Sequence, residues 1–158
     1  MNRLEMKGVI IVLLSVFIFI FIGCDDEDVS KRPVSLENMS DCYRQNEWNE
    51  NIIAKELTGK WQWIYTENFW APDEGQNTEN ENRVFEFLSD STLNVFVKDE
   101  LVESTQWMVA PVNSSDLFKL ELDEPVQYLY GQIFLCDKIL LFNDSYRDGT
   151  DNYFRKIE

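Results

Sequence analysis

From residue 59 onward the chain runs on a two-residue period. Between Lys60 and Glu67, Trp61, Trp63 and Tyr65 fall on one face and Gln62, Ile64 and Thr66 on the other, the alternation of a strand with one face in a core. Similar runs follow at 83–88, 92–98, 102–109, 117–122, 126–135, 138–142 and 152–157. Turn-forming residues separate them, among them Ser89-Asp90-Ser91, Asp123-Glu124-Pro125 and Asp148-Gly149. About eight strands so evenly spaced, with no room for crossover helices, predict an all-β antiparallel meander. Closing it into a small up-and-down barrel removes the free edges. A sandwich would need a long Greek-key return, and none stands between 83 and 157.

Before residue 59 the period is different. Trp48, Ile52, Ile53 and Leu57 recur at near-helical spacing, and Ser35 followed by Asn38 suggests an N-cap. The segment 35–57 therefore reads as a broken helix whose apolar stripe plugs one end of the barrel, with Gly59 as its stop. One connection is long. Residues 68–82 are polar and carry glycine and proline, so they read as a solvated loop; Phe69 and Trp70 at its start are placed to cover the barrel mouth.

The N-terminus is a processing signal rather than part of the fold. Arg3 and Lys7 precede an apolar run from Val9 to Ile22, and Gly23-Cys24 ends it. At about fourteen residues the run falls short of the roughly 20 needed to span a bilayer. These residues resemble the lipobox of bacterial lipoproteins, which implies cleavage before Cys24 and its acylation. The domain plan is then a signal peptide at 1–23, an acidic tether at 24–34 and a folded domain at 35–158. Lipid on Cys24, palmitate included, implies outer-membrane anchoring. Asp25-Asp26-Glu27-Asp28 also resembles the signal that sends some such lipoproteins to the cell surface; the plainer reading is a solvated linker.

Charge and cysteines narrow the function. The whole chain carries −15, and because residues 1–23 hold a net +1 the remainder carries −16. Such a surface repels nucleic acid. There is no histidine, which excludes histidine-based triads and dyads, and no glycine-rich phosphate loop appears. The chain reads as a non-enzyme without cofactor or metal. Residues 143–151 are rich in oxygen ligands but lack EF-hand spacing, so Asp148-Gly149 is read as a hairpin turn. With Cys24 lipidated, Cys42 and Cys136 remain as a pair in an oxidising compartment and are expected to form a disulfide; two buried thiols are the alternative.

Gly59-Lys60-Trp61 after a short helix, the meander, and the closing Tyr153-Phe154-Arg155-Lys156-Ile157 together resemble lipocalin-like domain lipoproteins of Gram-negative bacteria. The resemblance implies that Gly59, Trp61 and Arg155 close the barrel, with Arg155 over the Trp61 ring. Trp61, Trp63, Tyr65, Phe85, Phe87, Trp107, Tyr128, Tyr130 and Phe134 are expected to supply the volume of the interior. The functional expectation is a small hydrophobic or amphipathic ligand at the open mouth, contacted by Trp63, Phe69, Trp70, Trp107, Tyr128 and Tyr130. The alternative is a filled barrel serving as an interaction module for an envelope protein or a glycan.

Overall fold

A computed structural model describes residues 32–68, 70–113 and 115–158. The segment read as a signal peptide, Cys24, the acidic block and Phe69 lie outside the described residues. Among the described residues two short helices precede the sheet, α1 (Leu36–Arg44) and α2 (Glu50–Leu57). Each is started by a side chain that satisfies an otherwise orphan amide: Ser35 Oγ accepts from Asn38 N–H at 3.2 Å and Asn49 Oδ1 from Ile52 N–H at 3.0 Å. The segment read as one broken helix is thus two capped ones.

Nine strands follow: β1 (Gly59–Asn68), β2 (Ala71–Asn77), β3 (Arg83–Phe87), β4 (Thr92–Val97), β5 (Glu100–Pro111), β6 (Phe118–Leu122), β7 (Gln132–Cys136), β8 (Ile139–Asn143) and β9 (Thr150–Lys156). All pairings are antiparallel, in the order β6-β5-β4-β3-β1-β9-β8-β7, with β2 added on β1. The meander bends round until its last strand pairs with its first, Trp61 opposite Lys156 and Asn68 opposite Thr150. The result is an all-β, nearly closed eight-stranded barrel, as the strand pattern predicts. It stays unzipped between β6 and β7, which stand at the two ends of the ladder order.

Two sequence expectations fail on local geometry. The 68–82 segment is not a solvated loop: 71–77 forms β2 against the upper half of β1, and Glu79–Glu81 is a 3₁₀ turn. β1 is ten residues long, so β3 covers only its lower half and leaves an edge for β2 to pair. The run 126–135 is strand only over its last part. Val126 to Gly131 is a connection, with Tyr128 and Gly131 at positive φ (72° and 96°), incompatible with a continuous ladder.

A β-bulge at Ile64 decides which side chains are inside. Trp63 faces Phe154 across the ladder, whereas Tyr65 faces Tyr153, one register step apart. The extra residue flips the alternation. Trp61, Trp63 and Phe154 point into the barrel; Tyr65 and Tyr153 point outward into a second core with Met39 and Tyr43 of α1, Phe134 and Leu141. Tyr65 and Phe134 are therefore not interior residues. The interior is filled by Trp61, Trp63, Phe85, Phe87, Trp107, Phe142 and Phe154 together with aliphatic neighbours, all buried. Ile53 and Leu57 of α2, fully buried, join this interior core and plug the lower end, while Ile52 points to solvent. Cys42 of α1 is bonded to Cys136 at the end of β7 across 94 residues, with a Cα separation of 5.7 Å. That bond holds α1 against the outside of the barrel.

The expected cap on Trp61 by Arg155 is wrong by one residue. Trp61 lies opposite Lys156, whereas Arg155 lies opposite Gln62 on the outward face. Lys156 Nζ sits over the Trp61 ring at 5.1 Å, and Arg155 instead pairs with Glu79 at 2.7 Å. The alternation of a strand gives only one of two adjacent residues to each face.

Candidate binding site at the upper mouth

The two ends of the barrel differ in chemistry. At the lower end Trp61 Nε1–H donates to the Leu57 carbonyl at 2.6 Å and Trp107 Nε1–H to the Thr92 carbonyl at 3.1 Å. Under α1, Trp48 Nε1–H donates to the Tyr43 carbonyl at 2.7 Å. Each of these indoles has its acceptor. Trp63, 3% exposed at the upper end, has none: its Nε1 is buried without a partner. A buried donor left unmade costs about 1–3 kcal/mol, so this one stands out against its satisfied counterparts.

The residues around Trp63 are assembled by the strand register and by the 123–131 connection. Gln62 pairs with Val84, so Arg83, one step further along β3, reaches the level of Trp63 on the inward parity of Phe85 and Phe87. The connection from β6 to β7 tucks Val126 and Leu129 into the interior and lays Tyr128 on Trp63, ring centroids 3.9 Å apart and stacked. Arg83 Cζ lies 5.3 Å from the Tyr128 ring centre. Its Nε, like Trp63 Nε1, is buried with no acceptor. Among the described residues no carboxylate pairs with Arg83.

Of the ligand-contacting residues expected from the sequence, Trp63 and Tyr128 are brought together here. Trp107 belongs to the opposite, α2-closed end, in edge contact with Phe87 at 5.2 Å. Trp70 is 73% exposed beyond the β1 end, and Tyr130 is exposed on the outer side of the β6–β7 seam. Phe69 lies outside the described residues. Arg83 was missed by sequence reasoning although a charged residue in phase with Phe85 and Phe87 was legible as an inward cation.

The outer surface near the same end carries a buried acidic pair. Glu67 and Asp151 are opposite one another on β1 and β9. Asp151 accepts from Asn143 Nδ2, from the Asp144 and Ser145 amides and from Ser145 Oγ, all within 3.0 Å. Glu67 receives the Arg32 guanidinium. Burial works against the Arg32 charge, but the hydrogen bond to Glu67 and the nearby Tyr153 and Tyr65 hold its pKa above the usual value. Arg32, Pro33 and Val34, at the end of the assigned tether, are accordingly half-buried. Within 143–151, Ser145–Arg147 forms a 3₁₀ turn and donors from Asn143, Asp144 and Ser145 converge on Asp151; no group of metal-ligating side chains occurs among the described residues.

Two grooves flank the open seam. One, about 710 Å³, lies between α1 and β7 and is bordered by Tyr43, Trp48, Asp116, Leu117, Gln132 and Phe134. The other, about 610 Å³, follows the free edge of β6 past Leu120, Leu122, Leu129, Tyr130 and Tyr146. Both are outside the barrel. No described helix is long and apolar enough to cross a membrane. The chain matches no protein-family model, no curated protein and no solved structure.

Proposed function

We propose that this chain is a lipid-anchored, non-enzymatic, lipocalin-like barrel that binds a small amphipathic molecule at its upper mouth. The observation that carries the reading is the unpartnered Trp63 N–H under the Tyr128 ring, in a protein whose other buried indoles are satisfied. Buried polar groups normally have partners, and a ligand acceptor would supply this one. The packed interior restricts the ligand to the mouth instead of a deep calyx. Cys24 after the apolar leader, and a disulfide suited to an exported protein, support anchoring at the outer membrane.

The test uses N-phenyl-1-naphthylamine, a neutral amphipathic fluorophore. Saturable, blue-shifted emission whose affinity is altered in Tyr128→Ala supports the mouth site. Emission that never saturates, or that is equal in the variant, removes it.

The free β6 edge beside its groove favours a second reading, an interaction module that accepts an extended segment of an envelope protein by strand addition. Protection of the Phe118–Leu122 amides from hydrogen exchange in intact cell envelopes, relative to the purified protein, is its expected signature. Equal exchange in both would exclude strand addition.

A further inference from the structure

We infer that the ligand group recognised at the upper mouth is a carboxylate, held by Arg83 and the Trp63 N–H; this rests on the mouth-binding reading above. The chain has 29 acidic and 14 basic residues; Arg32 pairs with Glu67, Lys60 with Glu158, Arg147 with Asp144 and Arg155 with Glu79, while Lys156 gives its ammonium to the Glu56 carbonyl. Arg83 breaks that pattern. It is half-buried on the inward face of β3, it has a buried Nε–H with no acceptor, and no described carboxylate meets it. Its guanidinium lies over the Tyr128 ring.

The geometry selects the anion. The Arg83 guanidinium lies 5.3 Å from the Tyr128 ring centre, and a guanidinium takes a planar carboxylate with two parallel hydrogen bonds. Trp63, stacked on the same ring, adds a neutral donor. The net charge of −15 opposes a dianion about twice as strongly as a monoanion, which favours a monocarboxylic acid over a phosphate. Because the interior is filled, the rest of the ligand lies outside the barrel, so a short aliphatic or aromatic acid fits and a long chain has no channel to enter.

Both donors are covered, so occupation requires Tyr128 to move off Trp63. Tyr128 is held at φ 72°, a left-handed conformation that is costly for an aromatic residue.

The experiment compares hexanoate, 1-hexanol and inorganic phosphate against the full domain. It follows the Trp63 indole N–H signal in proton–nitrogen spectra, assigned with Trp63→Phe. Saturable perturbation by hexanoate, at least about tenfold weaker for hexanol, is expected. The perturbation should vanish in Arg83→Gln and survive in part in Arg83→Lys; if either variant fails to fold, the wild-type comparison alone decides. Equal responses to hexanoate and hexanol would overturn the carboxylate while leaving a mouth site in place. Phosphate binding more tightly than hexanoate would also overturn it. No response to any probe up to about 10 mM, with no saturable binding of the neutral fluorophore, would remove both readings.

Discussion

Lys156 Nζ stands 5.1 Å from the centre of the Trp61 ring and donates to the Glu56 carbonyl at 2.7 Å, tying the last strand to the end of α2 across the barrel's lower rim. Arg155, its neighbour, makes only a partly exposed pair with Glu79. The two residues should therefore separate in a stability measurement. Lys156→Ala is expected to cost about 1 kcal/mol through the lost cation–π contact and helix-end bond. Arg155→Ala should stay within about 0.5 kcal/mol of wild type. A larger effect at Arg155 in urea denaturation would restore it as the closure residue.

Gly59 opens β1 at φ 120°, and a Cβ there would stand 2.3 Å from the Glu158 carbonyl oxygen, which also accepts the Lys60 amide at 3.1 Å. Backbone, not a flexible side chain, blocks the site. Gly59→Ala should destabilise by about 1–3 kcal/mol, outweighing the gain of up to about 1 kcal/mol from stiffening the unfolded chain. A melting temperature at or above that of wild type would contradict the close approach.

Tyr153 buries a hydroxyl with no acceptor. Burial pushes its pKa up, against a lowering by Arg32 and with smaller raising effects from Asp151, Glu67 and Tyr65; burial and then Asp116 do the same for Tyr43. Both phenols stay neutral when folded and ionise near pH 10 when unfolded. Their contribution is thus complete below about pH 10 and is lost as pH climbs beyond it towards the raised folded values, since the unfolded chain then binds fewer protons. Tyr153→Phe should be neutral to about 1 kcal/mol more stable at pH 7 and lose less stability above pH 10. An unchanged alkaline slope in pH-dependent melting would refute this account.

The Cys42–Cys136 bond closes a loop of 94 residues. Replacing both with alanine should cost about 2–5 kcal/mol, read as a lower urea midpoint. Wild type under reducing conditions should move to the same midpoint, and a variant that unfolds at the wild-type midpoint would show the bond to be dispensable.

Strand existence was legible because each run repeats with a period of two, and a one-sided barrel imposes that period on every strand. Val126–Gly131 misled because it is apolar like a strand. It is apolar for another reason: Val126 and Leu129 plug the mouth from a connection whose positive φ values, at Tyr128 and Gly131, forbid a ladder. Trp63 and Tyr128 were visible as candidates. Their partner Arg83 was not singled out, since a charge inside a strand usually faces water.

By itself, then, the sequence determined the antiparallel all-β meander, the helical plug at Ile53 and Leu57, and two cysteines available to pair, because these depend on local period and composition. Tertiary structure alone decided which residues share a face. The bulge at Ile64 sends Tyr65 out of the barrel, the β1–β9 register sets Lys156 over Trp61 in place of Arg155, and the fold of the 123–131 connection brings Tyr128 onto Trp63 beside Arg83. A single-residue change in register reverses every side chain beyond it, and that register is fixed by pairing between strands distant in sequence.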